Sequence, residues 1–293
     1  MLDSTKLTTQ ENISLGKEIA MVAPIDTPFA TLLLANGRQK DATAKIHTWR
    51  EKSLDLTDDV SVAEGSEATN FSQGVRAELN NVMEIFMKSA KVSGTAQATS
   101  AVGDLFSSEI NDRLAELKVN IEKRLINGVK DNGEVTGIRK MDGILQFVHA
   151  DNKIVGATAG VITEAEVKQL ARKLWEQGVA TGEVYALVNA DLKEQIDELY
   201  KDKYNYVATT NEFGLVVQTI NTNYGQLKFV LDRHVPTDKI VAFDLNALSV
   251  AYLRQPVFEL LGKTGDSVAG QVVAEATLEV ATKKAIAEFT LGA

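Results

Sequence analysis

Residues 104–128, DLFSSEINDRLAELKVNIEKRLING, constrain the fold more than any other stretch of the chain. Apolar side chains recur there at spacings of three and four, which places them in one stripe along a helix. These side chains are Phe106, Ile110, Leu114, Leu117, Ile121 and Leu125. Asp104 is a suitable N-cap, and Gly128 is a typical stop just beyond a helix end. The pattern predicts a helix over 104–127, on the order of 35 Å long at about 1.5 Å per residue, with its charged residues, Glu122 among them, largely away from the stripe.

Two strand-like segments flank a polar stretch ahead of this helix. Residues 43–51 alternate as a strand does, and residues 75–92 return with their apolar side chains thickest between Val82 and Met87. The sequence between them is acidic and rich in Gly and Ser. Because connections of this length are uncommon in compact domains unless they have a function, the pattern predicts a projecting β-loop over 41–80. An ordinary surface hairpin is the alternative.

The first 40 residues carry scattered apolar side chains in polar sequence, followed by PIDTPF at 24–29. Two prolines this close disfavour helix and sheet and favour an extended path. The pattern predicts an N-terminal arm over 1–40, in which Phe29 and residues 32–34 form a small apolar patch. An arm that reaches a neighbouring chain and a strand docked on its own domain both fit this pattern.

A second composition begins near residue 161. Thr163 and Glu166 form a capping box ahead of a helical pattern that ends at Gly178. Further elements are predicted as a strand at 184–188, a helix at 192–199, a hairpin at 213–231 and a strand at 240–243. Together they predict a compact α/β unit over 161–250. If the strand-like tail pairs with residues 130–150, this unit is an insertion into the domain of the long helix.

Neither composition nor motifs support an enzyme or a metalloprotein. With 293 residues, 44% hydrophobic, the chain is long enough for about two globular domains. The absence of cysteine excludes disulfides and thiol chemistry, and a net charge of -9 argues against a general nucleic-acid binder. The histidines His47, His149 and His234 lack the spacing of metal ligands. No apolar run approaches the roughly 18 residues of a membrane span. From the histidine spacing, the motifs and the hydropathy together, no metal, cofactor or membrane partner is predicted.

The segment LLGKTGD at 260–266 is similar to a phosphate-binding loop. That motif needs a glycine where Val257 stands, and a helix must follow the loop. Here strand-like sequence follows instead, so Gly262, Gly265 and Asp266 are interpreted as turn residues.

The order of these parts resembles a tailed-bacteriophage major capsid protein of the Hong Kong 97 type, in the major head protein subfamily. The segments that carry the resemblance are IDTPF (25–29), RAELNNVMEIFMKSAKVSGTAQA (76–98), IEKRLINGV (121–129), Phe213-Gly214, YLRQP (252–256), KTGDS (263–267) and EATLEV (275–280). They span nearly the whole chain, and their order and spacing carry more weight than any one of them.

The resemblance implies an α+β fold divided along the chain. Its parts would be an N-terminal arm (1–40), an extended β-loop (41–80), a peripheral domain (81–160) with the spine helix at 104–127, an inserted α/β axial domain (161–250) and a return to the peripheral domain (251–293).

The resemblance also implies a non-enzymatic shell subunit. Hexamers and pentamers of it would build the icosahedral head of a tailed bacteriophage around double-stranded DNA that it contacts weakly and non-specifically. Assembly would take place in the host bacterial cytoplasm, with separate scaffolding, portal and head-completion or decoration proteins as further partners. The arm and loop would contact neighbouring subunits through Pro24, Pro28, Phe29, Trp49, Leu54, Leu56, Val60, Val62 and Glu64.

Two features depart from parts of this family. Only a short arm precedes the loop, so no cleaved N-terminal scaffold segment is expected. Lys45 and Lys52 would supply the lysine of the Lys–Asn crosslink found in some relatives, but no asparagine follows Asn246, so no crosslink is expected. An encapsulin-like nanocompartment shell is the first alternative function, and a nucleotide-dependent enzyme that uses GKTGD is the second.

Overall fold

The computed structural model describes residues 26–54, 61–67, 74–99, 104–179, 183–201, 218–263 and 265–292. This part of the chain contains five α-helices, a four-stranded sheet, a six-stranded sheet and a two-stranded hairpin. The helices are α1 (Pro28–Ala35), α2 (Gly94–Thr99), α3 (Leu105–Asn127), α4 (Glu164–Glu176) and α5 (Ala190–Lys201). The strands are β1 (Gln39–Asp41), β2 (Ile46–Ser53), β3 (Val75–Val82), β4 (Glu84–Ser93), β5 (Lys153–Ala159), β6 (Glu183–Val188), β7 (Thr219–Thr222), β8 (Gly225–Leu231), β9 (Lys239–Phe243), β10 (Leu248–Leu260), β11 (Ser267–Val280) and β12 (Ile286–Gly292).

Helix α3 confirms the long helix that the apolar stripe predicts. The carboxylate of Asp104 accepts a hydrogen bond from the Ser107 N–H at 3.3 Å, so the predicted cap is present. Burial along the stripe is uneven. Leu117, Ile121 and Leu125 are buried, whereas the residues of the N-terminal half are half-buried. The C-terminal half of α3 therefore lies within the core, and the N-terminal half lies closer to the surface.

Gly128 ends α3 for a reason that differs from the predicted one. Its φ is -56°, a value that any residue adopts. A Cβ atom at this position would lie 2.5 Å from the Met141 carbonyl oxygen and 2.6 Å from that of Arg124. The Gly143 N–H also donates to the Gly128 carbonyl at 3.0 Å, because the chain crosses the helix end there. Close packing, and not a left-handed backbone, requires glycine at this position.

The four-stranded sheet has the order β1-β10-β11-β4 and carries α3 on one face. Strand β1 runs parallel to β10, and the other neighbours are antiparallel. Apolar side chains from α3, from β10 and from β11 share one hydrophobic core. This core joins the four-stranded sheet to the six-stranded sheet, since Val241 and Phe243 of β9 belong to it as well.

The strand predicted over 75–92 is two strands in two different sheets. Strand β3 pairs with β2 in the hairpin, whereas β4 pairs with β11. Met83 separates them; it is fully buried, and its N–H donates to the Lys45 carbonyl at 2.9 Å. The alternation of residues 75–79 ends at Asn80, but apolar residues continue on both sides of Met83, and the prediction of a single strand overlooked this break.

The six-stranded sheet has the order β5-β12-β9-β6-β8-β7. Helices α4 and α5 cover one of its faces, where Leu170, Leu174 and Ile196 pack against β6 and β9. The predicted capping box of α4 is present, because Glu166 accepts hydrogen bonds from both the N–H and the hydroxyl of Thr163. The predicted strands and helices between 183 and 243 are found, although residues 213–217 of the predicted hairpin lie outside the described residues.

The C-terminal tail differs from the prediction that 251–293 returns as one piece to the domain of the long helix. Strand β11 does join the four-stranded sheet, but β12 pairs with β5 and β9 in the six-stranded sheet. Residues 286–289 of β12 are buried without alternation. A strand with neighbours on both sides and packing on both faces requires this pattern, so β12 is an interior strand of the second sheet.

Helix α1 begins at Pro28, within the segment 24–29 for which the sequence predicts an extended path, so that prediction is wrong at Pro28 and Phe29. Pro28 occupies the first turn of the helix, where a missing N–H costs nothing. Phe29 and Leu33 are fully buried, and the Phe29 ring meets that of Phe243 at 5.4 Å in an edge-on contact. Helix α1 thus packs between α3 and the six-stranded sheet. An N-terminal arm can therefore include only residues that precede α1.

Candidate functional site

The hairpin of β2 and β3 is anchored to the body at its root. The indole N–H of Trp49 donates to the Val280 carbonyl oxygen at 2.6 Å, and its ring lies 6.1 Å from that of Phe147. The hydroxyl of Thr282 donates to the Glu51 carboxylate at 2.6 Å. All eight residues of β2 are paired with β3, from Ile46 to Ser53. Side chains of β2 therefore hold the root to the body of the subunit.

A charged cluster also holds the root. One carboxylate oxygen of Glu279 accepts a hydrogen bond from the Lys40 ammonium at 2.7 Å, and the other lies 2.8 Å from His47 Nε2. Burial works to raise the pKa of Glu279, but the hydrogen bonds and charges of His47 and Lys40 outweigh it and lower this pKa from its usual value of 4.5. Glu279, a residue of β11, is therefore held as a carboxylate in contact with β1 and the hairpin.

We expect acid to loosen this root. Because the folded pKa of Glu279 is lowered, its contribution to stability is present above the usual value of 4.5 and is lost as the pH falls through the folded pKa. Hydrogen exchange of β2 and β3, corrected for the intrinsic rate, should accelerate between about pH 5 and about pH 3. In Glu279→Gln, exchange should be fast throughout, with that acid response gone.

Glu288→Gln is the matched control for this experiment. Glu288 is a buried carboxylate paired with Lys239 in the six-stranded sheet, remote from the hairpin. This variant should keep the acid response of β2 and β3. A wild-type protein whose hairpin is protected equally at both ends of the pH range would contradict the assigned role of Glu279.

The tip residues of the loop lie outside the core of the chain. Leu54 is 67% exposed, Val62 is 79% exposed, and Glu64 is also exposed. The predicted contact residues Leu56 and Val60 lie outside the described residues. Apolar side chains this exposed at the end of a projecting hairpin favour a partner surface. A contact role for the tip residues stays a prediction.

Two of the predicted contact residues are used within their own chain. Phe29 is fully buried against Phe243, so its assignment to a neighbouring subunit is wrong. Trp49 is half-buried, and its indole N–H donates to the Val280 carbonyl oxygen. Pro28 is half-buried at the start of α1, and Pro24 lies outside the described residues. Contact with a neighbouring subunit and burial within the same subunit both favour apolar side chains. The residue type alone therefore does not distinguish the two.

Glu122 is the buried polar residue that the helical pattern missed. The stripe placed it on the charged side of α3, yet it is fully buried. Its two carboxyl oxygens accept hydrogen bonds from the backbone N–H groups of Phe29 at 2.6 Å and Ala30 at 2.8 Å. Thr27 makes no side-chain cap to α1, so Glu122 satisfies the helix start from a distance. No sequence signal indicated this contact, because Thr27 is itself a residue type that commonly caps helices.

Two further surfaces present apolar groups and unpaired backbone. Strand β4 is an edge of the four-stranded sheet, and its Ile85 and Met87 point to solvent, the latter 60% exposed. At the far end of the same sheet, Val257, Phe258 and Leu260 of β10 are exposed as well. Within the described residues, β1 pairs with β10 only at 250–252, so this end of β10 is a second edge. Exposed edges of this kind favour pairing with another chain.

The described residues of GKTGD, all except Thr264, lie between β10 and β11 and belong to neither strand. Strand β11 follows it directly, and Gly265 has a φ of +71°, which favours glycine. The Asp266 carboxylate lies against Gly94, where a Cβ would approach it at 2.5 Å. This close approach, together with the Gly94 N–H donated to the Asp266 carbonyl at 3.1 Å, accounts for the motif by packing. The turn interpretation is therefore confirmed.

The described residues contain no group of three or more His, Asp or Glu side chains arranged to hold a metal ion. His47 lies in the hairpin root, His149 accepts a hydrogen bond from the Asp151 N–H at 3.3 Å, and His234 lies beside α3. No helix among the described residues is long and apolar enough to cross a membrane.

Comparison with known families decides what these surfaces belong to. The model of the SU10 major capsid protein family matches residues 3–291, nearly the whole chain. The chain belongs to this family. It is a major capsid protein of a tailed-phage-type shell, and its place is the head shell of the virion. The family is a structural one. No curated protein sequence matches the capsid protein.

Solved structures share the fold of this capsid protein at low sequence identity. The capsid of a native GTA particle aligns with a TM-score of 0.71 and 12% identity, over 96% of this chain and 95% of that chain. The capsid of cyanophage A-1(L) aligns with a TM-score of 0.71 and 16% identity, over 97% and 98%. The holo-SrpI encapsulin of Synechococcus elongatus aligns with a TM-score of 0.65 and 12% identity, over 99% and 95%. These similarities show a shared capsid-type fold of mixed helices and sheets.

Proposed function

We propose that this capsid protein has the Hong Kong 97-type fold and assembles with itself, through hexamers and pentamers, into an icosahedral head around double-stranded DNA. The observation that carries the proposal is the match of the SU10 family along residues 3–291, together with capsid structures that align over almost the entire chain. The subunit is a structural component of the shell and has no enzymatic activity. Scaffolding, portal and head-completion or decoration proteins are its further partners.

The two sheets and the hairpin support a division of the subunit into the domains of this fold. Helix α3 is the spine, the four-stranded sheet is the core of the peripheral domain, and the β2–β3 hairpin with its tip is the extended loop. The six-stranded sheet with α4 and α5 is the axial domain, extended beyond 161–250 by β5 and β12. The arm is limited to the residues ahead of α1. These limits adjust the ranges 1–40 and 251–293 that the sequence predicts.

The surfaces left open in one subunit support assembly. The hairpin tip, the β4 edge and the far end of β10 all expose apolar groups next to unpaired backbone or at the end of a projection. Burial of such groups against neighbours is favourable at roughly 25 cal/mol per Å² of apolar surface. A subunit that offers several such surfaces gains more by multiple contacts than by a single dimer interface.

We expect the purified protein to form capsomers or closed shells. Sedimentation velocity gives the mass of the assemblies, and negative-stain electron microscopy shows their symmetry. A protein that remains monomeric at high concentration, with its hairpin tip packed on its own body, would contradict the proposal. A denaturing gel of the particles should show no ladder of covalent multimers, since no crosslink is expected.

An encapsulin-like nanocompartment is the second candidate function. The SrpI encapsulin aligns over 99% of the chain, so the fold alone does not separate the two functions. The contents of the shells do separate them. Nucleic acid inside particles from the native host supports a phage head, whereas a packed cargo enzyme without DNA supports the nanocompartment.

A further inference from the structure

Three elements meet at one buried carboxyl group. Glu122 projects from α3, and its two oxygens accept the N–H groups of Phe29 and Ala30 at the start of α1. On its other side lies Asp232, the residue that follows β8. Both carboxyl groups are buried, with exposed fractions of 0% for Glu122 and 1% for Asp232. This contact fastens α1, α3 and the end of β8 to one another.

The hydrogen bonds around Asp232 leave one oxygen for Glu122. Its Oδ1 atom accepts the His234 N–H at 2.8 Å, and its backbone N–H donates to the Val188 carbonyl at 2.9 Å. Its Oδ2 atom is buried and has no donor among the described residues. Two ionised carboxylates in contact would have no hydrogen between them and would repel each other in a dry site. One proton on Glu122 turns the contact into an O–H···O hydrogen bond.

The surrounding charges do not remove this conflict. Helix α1 carries no titratable side chain. On α3, Lys118 and Lys123 are exposed and Arg124 pairs with Glu84. Around Asp232, Arg233 pairs with Asp26 at the surface, and the half-buried His234 lines the groove between α3 and β4. Burial raises the pKa of Glu122 to about 8, helped by the Asp232 charge and opposed by the two N–H groups of α1.

We propose that protonated Glu122 donates a hydrogen bond to the buried Oδ2 of Asp232, and that this bond acts as a pH-sensitive latch, which holds α1 against α3 and the end of β8. The inference concerns the folded chain and does not depend on the proposed shell. The direction of the pH dependence follows from the linkage between proton binding and closure of the latch. Because the proton is bound more tightly in the latched state, the latch is strongest below the usual carboxyl pKa of 4.5 and weakens as the pH rises toward about 8. Above that pH the weakening stops. A mildly acidic medium therefore fixes the root of the arm, and a mildly alkaline medium loosens it.

Hydrogen exchange of residues 28–35 in the full-length protein tests the latch. After correction for the intrinsic rate, the opening equilibrium of α1 should rise by up to about tenfold per pH unit between about pH 5 and about pH 8, and should then level off. In Asp232→Asn, the amide N–H can donate to an ionised Glu122, while its oxygen still accepts from His234. This variant should show a shallower profile than wild type, because burial still raises the pKa of Glu122 but the charge of Asp232 is gone, and α1 should be better protected than wild type at about pH 8.

Asp244→Asn is the matched control. Asp244 is also buried, and its Oδ1 accepts the N–H two residues ahead, that of Asn246, at 2.9 Å, but it does not face Glu122. This control should keep the wild-type slope, and so should His234→Gln, which keeps the backbone bond and removes the imidazole. If Asp232→Asn does not fold, Glu122→Gln provides a second variant; it lacks the titrating group, so its profile should be flat.

The wild-type profile alone can overturn the inference. A flat corrected profile for residues 28–35, or a wild-type slope retained in either Asp232→Asn or Glu122→Gln, would show that no hydrogen bond from protonated Glu122 to Asp232 holds α1. A slope lost in His234→Gln would assign the titration to the imidazole instead. Each of these outcomes leaves the shell assignment untouched, because the measurement reports on α1 within one subunit.

Discussion

Replacement of residues 54–74 by Asn-Gly is expected to leave the subunit folded and to abolish shell assembly. Ser53 pairs with Val75 at the end of the hairpin, so a two-residue turn closes the strands at this point. The root stays intact, because Trp49, His47 and Glu51 all lie before the new turn. What is removed is the tip, with the exposed side chains of Leu54 and Val62.

The energetic cost to the single subunit should be small. Removing exposed residues usually changes the free energy of unfolding by no more than about 0.5 kcal/mol, and a shorter connection lowers the entropy cost of closing the hairpin. Thermal melting followed by circular dichroism should therefore stay close to that of wild-type capsomers. Sedimentation and electron microscopy should show free subunits or small oligomers in place of shells.

A loop of the same length and composition in scrambled order is the matched control. It keeps the reach and charge of the tip but changes which side chains lie at each position. If specific contacts drive assembly, the scrambled loop should also fail to form shells. Normal shells from the Asn-Gly variant would show that the tip has no part in assembly and would leave the sheet edges as the principal contacts.

Local patterns of the sequence predicted the elements whose energetics are local. Helix α3 follows from a stripe repeated over six apolar positions, and the capping box of α4 follows from two residues three positions apart. Both patterns act within a few turns of one helix, where neighbouring side chains decide the structure. The GKTGD segment is another local case, because spacing and the following strand were enough to interpret it as a turn.

The errors arose where a distant partner decides the structure. The PIDTPF motif reads as an extended path until Glu122, more than ninety residues away in sequence, supplies the acceptor that α1 needs. The strand-like segment 286–289, Ile-Ala-Glu-Phe, fits either sheet by its sequence, and only its pairing with β5 and β9 assigns it to the second one. Buried Phe29 and exposed Leu54 are both apolar residues in polar surroundings. Their fates depend on tertiary packing, which a single sequence does not specify.

Helix α3 is the element whose disruption should be most damaging. Leu117→Pro is expected to prevent folding of the subunit. Leu117 is near the middle of α3 and 1% exposed. Proline there removes a helical hydrogen bond and clashes with the carbonyl of the preceding turn, which costs about 3 kcal/mol or more. Loss of the buried leucine side chain adds about 2–5 kcal/mol. The sum takes up most of the roughly 5–15 kcal/mol that stabilises a typical domain.

Two comparison variants separate the backbone effect from the loss of packing. Leu105→Pro places proline at the first position of α3, directly after the Asp104 cap, where proline is tolerated, so this protein should fold and assemble. Leu117→Ala keeps the helix and should yield a folded but less stable subunit. Soluble expression, circular dichroism and urea unfolding rank the three variants. A break at Leu117 should also displace Ile121 and Leu125, the buried residues that follow it in α3. A folded Leu117→Pro protein with a melting profile like that of Leu105→Pro would therefore contradict the structural role of α3.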